Sequence, residues 1–219
     1  MTVTVLLDND VVIKLARMDA YLDALSGMNL TPHQVGSLKP MLRYMGLYDH
    51  RRSARFTDNE IEAKRLIAAL KTIVVMEMTP DEAALTTQVA KALLSTGLDF
   101  NEGELMMCVV AVTRGALDFC TADKRALKSL PGVESRWADI GKMRGRCICF
   151  EQVFSHLCRN FGLSRVTSAV RTCPSTERSM TRIHDAIVGH KHGQDQFLRA
   201  LEAYIEDRIN QYARGWLKP

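Results

Sequence analysis

The stretch Val3-Thr4-Val5-Leu6-Leu7-Asp8-Asn9-Asp10 decides the fold of this chain, because a β-prone apolar run stops abruptly at acidic residues. Such a run, bounded by polar residues, predicts a short buried strand. The stretch Leu117-Asp118-Phe119-Cys120-Thr121-Ala122-Asp123 repeats the pattern, with a hydroxyl residue and then an acid after the apolar segment. Because the carboxyl ends of parallel strands meet at one crevice, we expect Asp8 and Asp123 to lie close together.

Helical patterns alternate with these strands, which is typical of an α/β fold with a parallel sheet. We predict helices over 11–25, 35–45, 59–72, 79–95, 101–115 and 124–130, a strand at 73–76, and a last strand within 133–140. Beyond that point the predicted helices are 147–161, 164–171, 176–188 and 194–216, with no strand signal. The expected organisation is therefore a parallel sheet flanked by helices over 1–140, followed by an all-helical extension over 141–219.

Composition narrows the class of protein. The chain has 219 residues and no apolar run near the ~18 residues of a membrane span. Its first residues lack the basic and apolar segments of a signal peptide, and its six cysteines lack the spacing of a disulfide scaffold. We expect a cytoplasmic protein with reduced thiols. For the cysteines we favour burial in the core over zinc binding, because Cys147-x-Cys149 lacks the C-x-x-C spacing of a zinc site.

Charge is distributed unevenly along the chain. Residues 1–139 carry 16 Lys and Arg against 18 Asp and Glu, a net charge of −2. Residues 140–219 carry 13 against 7, a net charge of +6. An acidic front beside a basic back suits a metal site next to a surface for polyanions, and a solvated basic face explains the same excess.

Three acidic motifs follow one another in order. They are Asp8-Asn9-Asp10 after the first strand, Asn101-Glu102-Gly103-Glu104 at the start of a helix, and Thr121-Ala122-Asp123 after a later strand. In this order the chain resembles the PIN domain family of nucleases, to which VapC-like ribonucleases belong, over about residues 1–140. The third motif is the most specific, since Lys124-Arg125-Ala126-Leu127 also fits the usual continuation of the family.

The resemblance implies metal-dependent hydrolysis of RNA phosphodiesters, with single-stranded RNA as substrate. Asp8, Glu104 and Asp123 would hold one or two Mg²⁺ or Mn²⁺ ions, and Thr121 would orient an acid or the water. Asp10 and Glu62 are further candidate ligands. The resemblance also implies a toxin or defence effector with an inhibitory protein partner. The extension then offers a partner surface, a homodimer surface or a substrate platform.

One family acid is missing from the sequence. PIN domains usually carry a Glu on the helix after the second strand, and Ser37 occupies that place here. A catalytically degenerate PIN fold, kept as a binding or assembly module, is therefore one alternative. A haloacid-dehalogenase-like phosphatase is another, because Asp8-Asn9-Asp10 is similar to the opening motif of that family, although its later acid pair is absent.

The same acids also have structural interpretations. Asp is a preferred helix N-cap, so Asp8 and Asp123 suit the starts of the helices that follow them. Asn101 and Glu104 have the spacing of a capping box. Capping and metal binding are compatible for a carboxylate, since its two oxygens accept several bonds.

Overall fold

A computed structural model describes residues 2–115 and 117–219 of this protein. The α/β class predicted from the sequence is confirmed, with one five-stranded sheet in which all neighbouring strands are parallel. The strands are β1 (Val5–Leu7), β2 (Val35–Leu38), β3 (Val74–Met76), β4 (Asp118–Thr121) and β5 (Cys147–Cys149). Their order across the sheet is β3-β2-β1-β4-β5. The chain thus builds outward in one direction from β1 to β3 and returns to the other side of β1 with β4.

Helices cover both faces of the sheet. The α-helices are α1 (Asn9–Arg17), α2 (Tyr21–Gly27), α3 (Lys39–Met45), α4 (His50–Ser53), α5 (Glu60–Leu70), α6 (Pro80–Leu93), α7 (Glu102–Thr113), α8 (Lys124–Glu134), α9 (Phe150–Thr172), α10 (Arg178–Gly189), α11 (Gln194–Ile205) and α12 (Gln211–Ala213). Tighter 3₁₀ turns lie at Pro32–Gln34, Ala54–Phe56 and Ala138–Met143, and a π turn spans Glu206–Asn210. No helix of the described residues is long and apolar enough to span a bilayer.

Strand alternation divides the core into two layers. Val5 and Leu7 of β1 point to the layer formed mainly by α1, α2, α5 and α9 to α11, whereas Leu6 points to the opposite layer of α6 to α8. The period of two in a strand produces this division. Because both faces are covered, every residue of β1 is buried, which explains its continuous apolar run. All six cysteines are buried free thiols.

Two strands lie where the sequence predicted helix. Residues 35–45 form strand β2 and then helix α3, with Pro40 in the first turn of α3, where proline is tolerated. The predicted strand within 133–140 is wrong, since that segment is the end of α8 and a 3₁₀ turn. The fifth strand is β5, just before α9. Three or four residues buried on both sides carry no periodicity, so the helical pattern of the next segment obscured them.

The chain is helical from α9 onward and returns to the sheet at its carboxyl terminus. Gly162, with a φ of 81°, divides α9 into two straight parts. After α12, Leu217 forms a parallel bridge with Cys147 of β5, and the indole of Trp216 is fully buried. The Lys218 ammonium lies 2.5 Å from the Asp118 carboxylate at the amino end of β4. The extension therefore packs on the sheet and covers one of its edges.

Candidate metal centre at the carboxyl edge of the sheet

The main candidate site lies between β1 and β4, where the order in which strands are added to the sheet reverses. β1 and β4 are neighbours, and the chain leaves them on opposite sides, which makes the space beyond their carboxyl ends the usual ligand crevice of such folds. A cavity of about 600 Å³ opens there. Its lining includes five acids and one arginine, namely Asp8, Asp10, Glu102, Glu104, Asp123 and Arg125. We call this cavity the acid cleft.

Strand register brings Asp8 and Thr121 together. Leu7 pairs with Cys120 across β1 and β4, so the residues that follow them are also neighbours. The Thr121 hydroxyl donates a hydrogen bond of 2.9 Å to Asp8 Oδ2 and accepts one of 3.0 Å from the Asp123 amide. Asp8 Oδ1 accepts a bond of 2.7 Å from the Asn9 amide at the start of α1. Thr121 thus fixes the orientation of Asp8.

Asp8 is held in a setting that disfavours its charge. Its side chain is buried, and this burial raises the pKa of Asp8 to about 6. The hydrogen bond from Thr121 opposes the shift, whereas the negative charges of Asp10 and Asp123 add to it. No ion pair to Asp8 is present among residues 2–115 and 117–219, so the protein itself supplies no cation that would stabilise this carboxylate.

Glu104 combines a structural bond with a free oxygen. Its Oε2 accepts a bond of 3.0 Å from the Asn101 amide, and Asn101 Oδ1 accepts one of 2.9 Å from the Glu104 amide. The predicted capping box is therefore present. Glu104 Oε1 is buried and has no hydrogen-bond partner within the described part of the chain. Burial is the main cause that raises the pKa of Glu104 to about 8, and repulsion by Asp123 and Asp8 contributes.

Asp123 differs from the other two acids because an arginine binds it. It caps α8 through a bond of 2.8 Å from the Arg125 amide, and the Arg125 guanidinium donates bonds of 3.2 Å and 2.7 Å to its two oxygens. Burial opposes ionisation, but these bonds outweigh it and lower the pKa of Asp123. The Arg125 side chain is 68% exposed, so it is free to move away from the carboxylate.

The two further predicted ligands lie in different places. Asp10 is exposed in the first turn of α1 and lines the acid cleft. Glu62 does not line it, because its carboxylate accepts a bond of 2.7 Å from Arg17 at the far end of α1. Glu62 forms a compact group with Asp58 and Cys173. Arg17 also pairs with Asp58, so a single protein cation is shared by the two carboxylates of that group.

The structure also gives the position of Ser37, the residue that the resemblance placed where PIN domains usually have an acid. Ser37 is fully buried within β2 and does not line the acid cleft. The wall contributed by α3 consists of Pro40, Met41 and Tyr44, and none of them carries a negative charge. Ser37 therefore does not face the cavity, and the absence of a family acid stays a prediction of the resemblance.

The residues of the acid cleft fit a hard divalent cation. Every negatively charged atom in its lining that could bind a metal is a carboxylate oxygen, the ligand type that Mg²⁺ and Mn²⁺ prefer. Asn9 also lines the cleft, and its Oδ1, like Glu104 Oε1, is buried with no partner in the described residues. Within those residues, only Asp58, Glu62 and Cys173 offer three ligand atoms within 4.8 Å of one another. The carboxylate oxygens of Asp8, Glu104 and Asp123 therefore do not all lie within 4.8 Å of one another, so an ion in the cleft would need waters or side-chain movement to complete its coordination.

A second group of charged residues at the same edge escaped the sequence analysis. Lys14 of α1 donates a bond of 2.7 Å to Glu177, and Lys124 of α8 lies 2.8 Å from Glu151 and 3.5 Å from Glu177. We call these four residues the lysine–glutamate cluster. Burial opposes ionisation of Glu177, but the bonds from Lys14 and Ser179 and the charges of both lysines together lower its pKa to about 2. The available signal was Glu151, which follows β5 as Asp8 follows β1.

Comparison with known proteins identifies no relative of this chain. No protein-family model, no curated protein and no solved structure matches it.

Proposed function

We propose that this chain is a metal-dependent endoribonuclease whose active site is the acid cleft. The observation that carries the proposal is the convergence of Asp8, Glu104 and Asp123 from three separate elements on one cavity. Two of these carboxyl groups have raised pKa values and form no ion pair with the described residues, which is the arrangement expected where an ion completes the site. The motif order supports a PIN-like nuclease rather than another hydrolase, and that resemblance supplies the substrate, single-stranded RNA.

The residues have separable roles in this proposal. Asp8, Glu104 and Asp123 hold the ion or ions, and Thr121 fixes Asp8 through its hydrogen bond. A bound Mg²⁺ or Mn²⁺ supplies a Lewis acid for the phosphodiester and a water of lowered pKa. Arg125, which reaches the cleft from α8, is placed to exchange its bond with Asp123 for a phosphate oxygen of the substrate. Control by an inhibitory partner stays a prediction of the resemblance.

The test is cleavage of a mixed RNA pool with Mn²⁺ by the parent protein, Asp8→Asn and Asp123→Asn. Loss of one carboxylate ligand should slow cleavage by roughly 10³-fold, since the ion contributes several kcal/mol of transition-state stabilisation. Asp139→Asn is the matched control, because that carboxylate is exposed and outside the cleft. Equal cleavage by all four proteins would refute the assigned site. Faster hydrolysis of a small phosphomonoester than of RNA would favour the phosphatase alternative.

The degenerate binding module is a second candidate, and one observation favours it. The α3 wall of the cleft presents Pro40, Met41 and Tyr44 where the family usually has an acid. Fewer carboxylates mean weaker binding of the ion. Calorimetric titration of the parent protein with Mn²⁺ separates the two functions, because a degenerate site gives no heat that depends on Asp8.

A further inference from the structure

Next to the acid cleft lies a groove whose lining is mainly basic and aromatic, whereas the lining of the cleft is rich in acids. A cavity of about 310 Å³ is lined by Arg43, Tyr48, Asp49 and Arg52. We call it the arginine–tyrosine groove. Arg43 lines this groove and the next residue, Tyr44, lines the acid cleft, so α3 contributes a side chain to each of the two cavities.

Charge makes this groove a partner for a polyanion. Residues 43–55 contain four arginines and one acid, a net charge of +3. Arg43, Arg51 and Arg55 form no ion pair with the described residues, and Arg52 has only a contact of 3.4 Å with Asp49. The acid of the groove is engaged elsewhere, since Asp49 also accepts a bond of 3.0 Å from the Arg51 amide as the cap of α4. These guanidinium groups are therefore available to phosphates.

By contrast, several basic residues of the C-terminal extension are already engaged. The net positive charge of residues 140–219 suggests RNA binding, but four arginines of this segment form ion pairs, namely Arg144, Arg146, Arg159 and Arg165. Their partners are acids of the same chain, so much of their charge is compensated. The net charge of +6 in this segment thus overstates its attraction for a phosphate backbone. Available arginines next to the cleft are instead found on the α3–α4 wall.

Exposed aromatic rings complete the wall. Tyr48 is 71% exposed in the groove, and Tyr44 is 60% exposed in the cleft. Tyr44 packs edge-on against Phe56, with ring centroids 5.1 Å apart. Exposed aromatic faces alternating with arginines are typical of surfaces that bind single-stranded nucleic acid, because unpaired bases stack on the rings while cations bind the phosphates.

The backbone holds this wall in a fixed shape. Gly46 adopts a φ of 97° between α3 and α4, and a Cβ there would lie 2.5 Å from Ser53 Oγ. The buried Ser53 hydroxyl donates a bond of 3.0 Å to the Met45 carbonyl, which ties the end of α3 to α4. Tyr44 and Tyr48 on either side of Gly46 are therefore presented by a rigid turn, which lowers the entropic cost of binding.

We propose that the arginine–tyrosine groove is a nucleotide subsite for single-stranded RNA next to the scissile phosphate. The base of one flanking nucleotide stacks on Tyr48, and Arg43 and Arg52 bind the adjacent phosphates. This inference rests on the proposed function for the position of the scissile phosphate. Binding at the groove itself is independent of hydrolysis, so the two are tested separately.

The experiment measures binding of a labelled single-stranded RNA of about ten nucleotides by fluorescence anisotropy in EDTA, which prevents cleavage. Tyr48→Ala should weaken binding about tenfold, and Tyr48→Phe should bind like the parent because it keeps the ring. Arg52→Gln should reduce the slope of log affinity against log salt by about 0.7. Tyr212→Ala and Arg159→Gln are the matched controls, since both residues are exposed and outside the two cavities.

The outcomes separate the two proposals. Groove variants that bind RNA like the controls overturn the subsite, even if Asp8→Asn abolishes cleavage. Groove variants that lose binding support the subsite, even if the parent cuts no RNA. If Tyr48→Ala weakens binding of duplex RNA of the same sequence as much as it weakens binding of single-stranded RNA, base stacking is overturned, because bases within a duplex cannot reach the ring. Thermal melting of every variant shows whether these surface changes leave the fold intact.

Discussion

The acid cleft and the lysine–glutamate cluster lie at the same edge of the sheet, and both bury carboxyl groups, yet the protein compensates only one of them. In the cluster, two lysines bind Glu151 and Glu177, and the pKa of Glu177 falls to about 2. In the cleft, Asp8 and Glu104 form no ion pair with the described residues, and their pKa values rise to about 6 and about 8, although the charge of Arg125 opposes the rise for Glu104.

The difference teaches how to separate structural from functional acids at one sheet edge. Burial by itself raises the pKa of a carboxyl group wherever it occurs. A structural acid is one whose burial the protein offsets with its own cation, because an unpaired buried charge is strongly destabilising. Asp8 and Glu104 carry this cost without such an offset, which is expected of a site that an external cation completes. Four predictions test this distinction.

The largest effect is expected in the lysine–glutamate cluster. Lys124→Met should lower the free energy of unfolding by about 3–5 kcal/mol, because it leaves the fully buried Glu151 without its cation. Urea denaturation measures the change, and Lys128→Met, an exposed position on the same helix, is the control. Adding Glu151→Gln to Lys124→Met should recover much of the loss. Equal stability of the two lysine variants would show that the cluster is not compensated by its lysines.

In the acid cleft, the effect should appear in metal binding instead. Thr121→Val removes the hydrogen bond that orients Asp8, and such a change typically weakens metal affinity by about 10–100-fold. Calorimetric titration with Mn²⁺ measures it. Thr121→Ser keeps the hydroxyl and should bind like the parent. An unchanged Mn²⁺ affinity in the valine variant would show that the orientation of Asp8 does not contribute to metal binding.

Glu104 should make stability depend on pH in the metal-free protein. Its pKa of about 8 lies above the ordinary value of 4.5, so the folded state binds more protons than the unfolded state between these values. Stability from this group is complete below pH 4.5 and is lost as the pH rises through 8. In EDTA at pH 8, Glu104→Gln should therefore raise the free energy of unfolding by on the order of 1–2 kcal/mol.

The same pair of proteins should be equally stable at about pH 3, where Glu104 is protonated in both the folded and the unfolded state. Saturating Mn²⁺ should reverse their order at pH 8, because the parent alone keeps the carboxylate that binds the ion. Glu102→Gln, an exposed neighbour in the same helix turn, controls for the loss of a charge. A glutamine variant that is less stable than the parent at pH 8 without metal contradicts the raised pKa.

The smallest effect is expected at Arg125, the one cationic side chain that lines the acid cleft in the described part of the protein. Arg125→Gln removes a competitor for Asp123, so Mn²⁺ affinity should rise about threefold. RNA cleavage by the same variant should fall, since Arg125 is assigned to a substrate phosphate. A lower Mn²⁺ affinity would show that Arg125 orders Asp123 for the ion rather than competing with it.

Local patterns explain which parts of the fold were predictable. β1 and β4 were found because each apolar run stops at polar residues, and the Asn101–Glu104 capping box has a fixed spacing. β2 was missed because Val35-Gly36-Ser37-Leu38 is buried on both faces and runs directly into α3. β5 was missed for the same reason, since Cys147-Ile148-Cys149 merges with the apolar face of α9.

The site was predictable only as far as sequence motifs reach. Asp8, Glu104 and Asp123 each stand at the boundary of a helix or strand, and parallel topology then brings them to one edge. The contact between Lys14 and Glu177 joins residues 163 positions apart, so only the packed structure reveals it. Glu62 does not line the acid cleft, and its local pattern gave no sign that Arg17 lies beside it.

The return of the chain to β5 has a consequence for association. The Trp216 carbonyl accepts a bond of 3.0 Å from the Cys147 amide, and the Lys218 amide donates one of 2.7 Å to the Cys147 carbonyl. These bonds occupy backbone groups that an edge strand would otherwise offer to another molecule. Deletion of residues 214–219 should therefore expose β5 as an edge strand that can pair with another molecule, whereas a tag that leaves these residues paired with β5 should not. Self-association by strand addition in the intact chain is left to β3, where Val75 is 41% exposed.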